Sequence, residues 1–432
     1  MRTLILGAAR SGTAAALLAK ADGHRVTVFD ESPVDPTQLV ASGIGVVGGA
    51  WSPDLLSGVD LLIASPGFSE RSGPIVDALE AGVEIWSEIE FAWRHLDSPV
   101  LAVTGTNGKT TVTEAATAML QASGLKALAV GNIGIALSSV VHEPVDVFVL
   151  EVSSFQLRFT TGFRPSTAVL LNVAPDHLDW HGSYGAYAAA KAKVFANQGP
   201  SDLLVFDADD QGAAGLVRPA SARLHPVSAT RVPAGGSGVE GDILHLPGVD
   251  VPLAELQRAD AVMVVDVAAA GVAALDHGAK PEAVAAVCRD FRPPAHRRTL
   301  VRSLGGVSWI DDSKATNPHS ALAAIRAYPS VVLIAGGLAK GLDLTPLAHE
   351  PNVKRLIAIG SSGPSLAVAA ADRGAMAGSM EEAVDLAAGW AGPGDTVLLA
   401  PGCASFDMFE SYADRGDRFA AAVIALLEGD RR

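Results

Sequence analysis

One stretch limits what this chain can fold into more than any other: Val100-Leu101-Ala102-Val103-Thr104-Gly105-Thr106-Asn107-Gly108-Lys109-Thr110-Thr111. Its apolar start predicts a buried strand over Val100–Val103, and the residues after it predict a helix over Thr110–Ser123. Gly105 and Gly108 permit the backbone angles and close approach that turn this loop's N–H groups, through Thr106 and Asn107, toward a phosphate. The helix points its positive end at the same place, Lys109 adds a full charge, and the Thr110 hydroxyl, with Thr111 beside it, can ligate Mg²⁺. Val103 stands where a strict G-x-x-x-x-G-K-T motif has its first glycine. An ordinary glycine-containing strand–helix turn is the competing reading. Binding of a nucleoside triphosphate is expected, but the segment does not say what becomes of the phosphate.

The same strand–helix alternation runs through most of the chain. Strand Thr3–Leu6, a glycine turn, helix Ser11–Ala21, strand Val26–Asp30 and strand Leu61–Ala64 come before the phosphate loop; strands Val145–Leu150 and Thr167–Asn172 come after it. Residues 211–252 read as short strands and loops, and helices follow up to Arg292-Pro293-Pro294, a linker. Alternation then resumes with strand Val307–Ile310, helix His319–Tyr328, strands Val331–Ala335 and Arg355–Ile359, helix Met380–Trp390 and strand Thr396–Ala400. Because 432 residues exceed one ordinary core, an α/β fold in three domains is expected, each on a mainly parallel sheet. These are a Rossmann-like domain over 1–97, a P-loop ATPase-like domain over 98–293 and a Rossmann-like domain over 294–432.

Hydrophobic residues make up 49% and charged residues 18%, which excludes a disordered chain. A net charge of −15 argues against a nucleic-acid partner. Cys288 and Cys403 are too far apart for a metal knuckle and fit a reducing compartment. The apolar run Ala261–Leu275 contains Asp266 and is shorter than the roughly 18 residues a membrane span needs. A cytoplasmic protein with no membrane partner, acting as a monomer, is expected.

Other segments carry candidate chemistry. Gly7-Ala8-Ala9-Arg10-Ser11-Gly12 resembles a dinucleotide fingerprint lacking its second glycine, with Asp30 where a ribose-binding acid would be. The residues leave two ligands open: a nicotinamide dinucleotide, or the diphosphate or uridine of a sugar nucleotide at the helix start, with Ser11 as a donor. Glu151 ends an apolar strand, where α/β sheets bind ligands, and could join Thr110 on Mg²⁺. Asp176-His177 follows another strand; His177 is a candidate metal or phosphate contact. Lys191, on an alanine-rich helix, reads by spacing alone as a solvated surface residue. Three polar loops follow three C-terminal strands: Asp311–Asn317, Gly336–Asp343 and Pro401–Asp407. Gathered at one sheet edge, Lys314, Thr316, Lys340 and Ser405 would cradle a small dicarboxylate.

Together with Gly131-Asn132-Ile133-Gly134, Leu150–Leu157, Asn172–Asp179, Tyr187–Lys191 and His296-Arg297, these motifs resemble the Mur ligase family of cell-wall synthesis over nearly the whole chain. Ser-Ser-Phe-Gln-Leu and Asp-Ser-Lys-Ala-Thr-Asn are most similar to its glutamate-adding branch. The resemblance implies an ATP-dependent ligase acting on UDP-N-acetylmuramoyl-L-alanine and glutamate through an acyl phosphate. It implies catalytic roles for Lys109, His177, Lys191 and Lys314. It also implies two Mg²⁺ ions on Thr110, Glu151, His177 and Lys191, the lysine carrying a CO₂-derived carbamate. Residues 105–111, Asp266, Arg297 and Asp312 would contact ATP. Arg10, Ser11, Ser65, Asn132, Ser153 and Gln156 would meet the sugar-nucleotide substrate; Thr316, Lys340, Ser405, Phe406 and Tyr412 would meet glutamate. Ser32, Asp266 and Tyr412 depart from the family's usual arginine, asparagine and phenylalanine. A same-fold ligase for another amino acid, a non-catalytic nucleotide binder and an oxidoreductase are the alternatives.

Overall fold

The computed structural model describes residues 1–32 and 35–429. Its strands form three sheets. The first is all-parallel, with β1 (Arg2–Leu6), β2 (Arg25–Asp30), β3 (Gly45–Gly48), β4 (Leu61–Ala64) and β5 (Glu84–Ser87) in the order β3-β2-β1-β4-β5. The second holds β6 (Val100–Thr104), β7 (Ala127–Gly131), β8 (Val147–Glu151), β9 (Thr167–Leu170), β10 (Leu203–Asp207), β11 (Arg223–Ser228), β12 (Ser237–Glu240), β13 (Ile243–Leu246) and β14 (Val249–Pro252). Its order is β14-β13-β12-β11-β10-β9-β6-β8-β7, antiparallel only at β12, β13 and β14. The third holds β15 (Thr299–Leu304), β16 (Val307–Asp311), β17 (Val331–Gly336), β18 (Val353–Ile359), β19 (Gly374–Met376) and β20 (Thr396–Leu399). Its order is β15-β16-β20-β17-β18-β19, antiparallel only at β15. Strands buried on both faces by helices carry unbroken apolar runs, and β1, β4, β6, β8 and β17 do.

The chain packs as two compact units: Met1–Val173 with Trp180–Arg292, and Ala174–Asp179 with Pro293–Arg432. The first unit carries the first two sheets and the second carries the third. Residues 211–252 include a helix, Gln211–Leu216, as well as the expected short strands. The apolar run near 261–275 is the helix Ala261–Asp276, buried along most of its length; a helix apolar on all sides belongs inside a protein. No described helix is long and apolar enough to cross a membrane.

Two glutamates of the helix Glu88–Trp93 have opposite surroundings. Burial works against ionised Glu90, but N–H groups of Thr161, Gly162 and Phe163 and the Arg94 guanidinium reverse it and hold its pKa low. Burial raises the pKa of Glu88; Ser138, whose N donates at 2.6 Å to Oε1, offsets it only in part, and Oε2 has no hydrogen-bond partner. A carboxyl that holds its proton more tightly when folded stabilises the fold in acid, and that contribution fades as pH rises above the ordinary 4.5. Glu88→Gln keeps the acceptor for Ser138 and cannot ionise. It is expected to raise the apparent Tm at pH 8 by about 2 °C and to change little at pH 4. Equal effects at both pH values in a thermal melt would refute this.

Candidate functional site

The phosphate loop joins β6 to the helix Lys109–Ala122. Gly108 caps that helix with φ +87, and a Cβ there would stand 2.6 Å from Asp266 Oδ1 and 2.7 Å from Leu171 Cδ1. Glycine is required on both counts. At Gly105 the reason is closeness alone: a Cβ would lie 3.0 Å from Asn107 O and Leu171 Cβ. Lys109 Nζ folds back onto the loop, donating to Gly105 O (2.9 Å) and Thr106 O (3.1 Å). Asn172, just past β9, clamps the loop from beneath. Its backbone O accepts from Thr106 N (2.9 Å), its Oδ1 accepts from Asn107 N (2.8 Å), and its Nδ2 donates to Asn107 O (3.2 Å). Thr106 Oγ1 bonds Tyr187 OH at 2.9 Å.

Lys191 corrects the surface reading. It is 1% exposed, its Nζ donates to Gly105 O at 2.7 Å, and it sits 4.7 Å over the Tyr187 ring, one helical turn before it. The spacing of an alanine-rich helix cannot reveal this, because the covering loop lies 86 positions earlier. Two lysines, Lys109 and Lys191, therefore converge on one carbonyl of the phosphate loop.

Glu151 closes β8, in register with Val103 of β6, and so stands at the same sheet edge as the loop. It is 2% exposed; Oε1 accepts from Asn132 Nδ2 at 2.7 Å, and Oε2 is buried without a partner. A buried, unsatisfied carboxylate oxygen together with the buried Thr110 fits a hard cation. Among the described residues no three His, Cys, Asp or Glu groups are gathered around a metal position.

Residues 103–230 match the Mur ligase middle domain, and residues 296–403 match the Mur ligase, glutamate ligase domain. The chain is 41% identical to the UDP-N-acetylmuramoylalanine–D-glutamate ligase of Frankia casuarinae, over 98% of this chain and 93% of that one. It is 40% identical to the enzyme of that name from Acidobacterium capsulatum, over 98% and 96%. The chain belongs to the Mur ligase family. A pseudomurein peptide ligase type C from Methanothermus fervidus has the same fold, with TM-score 0.61 at 18% identity over 98% of this chain and 99% of that one.

Other residues that resemble Mur ligase site positions fall into three groups. Arg10, Ser11 and Ser65 line a cleft of about 540 Å³ with Gly7, Asp30, Ser32 and Phe68, at the carboxyl ends of the first sheet's strands. Asp30 does not stand free for a ribose: its Oδ2 accepts from Ala8 N (2.7 Å) and its Oδ1 from Ser32 N (2.9 Å), bracing the turn instead. Ser153 and Gln156 form a capping box on the helix Ser154–Arg158, with Ser153 Oγ 2.9 Å from Gln156 Oε1. Their spacing, Ser-x-x-Gln, is the signal for that cap. Asn132 reaches Glu151, as described.

The second unit holds the remainder except Asp266. The neighbours β16, β20 and β17 are parallel, so their loops do gather at one edge. Gly336 N donates to Pro401 O, Gly402 N to Ala315 O, and Leu338 pairs with Ala404. Lys314 Nζ lies 5.3 Å over the Tyr412 ring; Ser405 is buried, and Phe406 is exposed. Lys340, at φ +52, pairs with Asp176 at 3.0 Å. Asn317 Nδ2 donates to the other Asp176 oxygen at 3.0 Å. Burial would raise the Asp176 pKa, yet the charges of His177 and Lys340 and the bonds from Lys340 and Asn317 hold it low. His177 belongs to this unit and has φ +51. Arg297 is half-buried, while Asp312 faces Arg298, whose N donates at 3.2 Å. Asp266 lies in the first unit beside Gly108. Asn172, Tyr187, Asp176 and Asn317 stand in motifs visible in the sequence; none announces its partner.

Proposed function

We propose that this chain joins D-glutamate to UDP-N-acetylmuramoyl-L-alanine at the expense of ATP, within cytoplasmic peptidoglycan precursor synthesis. One observation carries the reading furthest: Lys109 and Lys191 converge on the Gly105 carbonyl of a loop whose edge also holds the unsatisfied Glu151. A carboxylate is a poor acyl donor because its leaving group would be oxide. Attack of the substrate carboxylate on the γ-phosphorus of ATP releases ADP and leaves an acyl phosphate. The glutamate amine then adds to the carbonyl, and the tetrahedral intermediate expels phosphate.

The first step brings anion against anion. Lys109 would leave the Gly105 and Thr106 carbonyls for the β- and γ-phosphates, while the N–H groups from Gly108 to Thr111 at the helix start receive the rest. Asn172 and Tyr187 keep the loop in one shape for that exchange. Thr110, Glu151, His177 and a carbamylated Lys191 would hold two Mg²⁺ ions, which screen phosphate charge when bound. As an ammonium Lys191 repels a cation; a carbamate built from CO₂ makes it an oxygen ligand. Asp266, Arg297 and Asp312 would contact ATP. Arg10, Ser11, Ser65, Asn132, Ser153 and Gln156 would face the sugar nucleotide. Lys314, Thr316, Lys340, Ser405, Phe406 and Tyr412 would hold glutamate, with Lys314 also near the reacting carbonyl. Boundaries near residues 97 and 293 would separate sugar-nucleotide, ATP and glutamate domains in a monomer.

Phosphate release is expected only when ATP, Mg²⁺, UDP-N-acetylmuramoyl-L-alanine and D-glutamate are all present. L-glutamate should not substitute. Release that is indifferent to either organic substrate, or equal with both enantiomers, would reject the proposal.

A further inference from the structure

The largest fully buried side chain among the described residues is a charged one, Arg415. It lies in the first turn of the helix Tyr412–Gly429 and is 0% exposed. Nε donates to Ser313 Oγ (2.9 Å), Nη2 to Ser313 O (2.8 Å) and Cys403 O (3.1 Å), and Nη1 to Cys403 O (3.1 Å). Ser313 Oγ donates in turn to Tyr412 O at 2.7 Å. All the acceptors are neutral, and Asp407 and Asp311 act on the guanidinium only at a distance. Burial pushes its pKa down to about 10, which leaves it charged at neutral pH.

Burying a cation without a carboxylate against it is costly, and an apolar side chain of similar volume would stabilise this core as well or better. The charge therefore has to be explained by what surrounds it. The turns it ties together are those that carry Lys314 and Thr316 on one side and Ser405 and Phe406 on the other. The third loop also comes close: a Cβ on Gly337 would stand 3.5 Å from Nη1. Helix and loop meet tightly here, since a Cβ on the next residue, Gly416, would lie 2.1 Å from His296 Nδ1.

We infer that Arg415 is a positioning residue for the amino-acid substrate: it locks the Ser313 and Cys403 turns so that Lys314, Thr316 and Ser405 face a dicarboxylate, and it adds positive charge beneath that site. The inference rests on the assignment of glutamate as second substrate. A dianion gains from a nearby cation that no protein carboxylate hydrogen-bonds, and five rigid donors hold two turns in one geometry better than an ammonium can.

The test compares steady-state kinetics of Arg415→Met, Arg415→Lys and Ser313→Ala in the full chain, varying D-glutamate, ATP and UDP-N-acetylmuramoyl-L-alanine in turn. Arg415→Met is expected to raise KM for D-glutamate by at least about tenfold, through loss of charge-assisted hydrogen bonds, with KM for ATP unchanged. Arg415→Lys keeps the charge and restores part of the affinity. Ser313→Ala removes the hydroxyl that Arg415 and Tyr412 share, and raises the same KM by less. An unchanged KM for D-glutamate in a folded variant, or a parallel loss toward all three substrates, overturns the inference. Should Arg415→Met fail to fold, the lysine and serine variants decide by the same criterion. Failure of the unsubstituted protein to use D-glutamate at all would instead strike the function assignment.

Discussion

Lys109→Ala is expected to lower turnover by at least about a hundredfold, the usual cost of removing a charge that acts on the transition state. The residue is half-buried, its ammonium rests on Gly105 O and Thr106 O, and Gly105 O keeps a donor in Lys191 Nζ once it is gone. Truncation therefore leaves the loop's own clamp, Asn172 and Tyr187, in place. The loss should be in kcat, with KM for D-glutamate little changed, because no group of the glutamate loops is touched. Single-turnover measurement of ADP formation checks this directly. Near-normal turnover would mean that the terminal phosphate is activated by something other than this loop.

Glu151→Gln is expected to have a comparable effect for a different reason. Glutamine keeps an oxygen to accept from Asn132 Nδ2, so the end of β8 and the Gly131-Asn132 turn stay in place. It replaces the unsatisfied Oε2 with an amide nitrogen that cannot ligate Mg²⁺. Turnover should fall about a hundredfold, and the Mg²⁺ concentration for half-maximal rate should rise about tenfold. Titration of phosphate release with Mg²⁺ separates the two quantities. A variant that is slow but has an unaltered Mg²⁺ requirement would remove Glu151 from the metal site and leave it as a partner of Asn132.

The phosphate loop was legible because all its parts are consecutive: strand, glycines, lysine and helix start need only their neighbours. The same holds for the parallel strands, whose apolar runs follow from burial on both faces. The gathering of three C-terminal loops at one edge follows from strand direction alone, since β16, β20 and β17 all run the same way. Short elements with weak patterns, such as β3 and β19, did not stand out, because exposed edge strands of three or four residues carry no distinctive period.

The sequence by itself therefore determined the α/β class, the phosphate-binding loop and the position of a second polar cluster, since each depends on local pattern or strand direction. Only the tertiary structure decided which charged side chains are buried and what they touch. Lys191 meets Gly105 across 86 positions, Lys340 meets Asp176 across 164, and Arg415 meets Ser313 across 102. Periodicity records which face of an element is apolar. Whether a lysine or arginine on that element ends in water or against a carbonyl depends on the segment packed over it, and distant sequence supplies that segment.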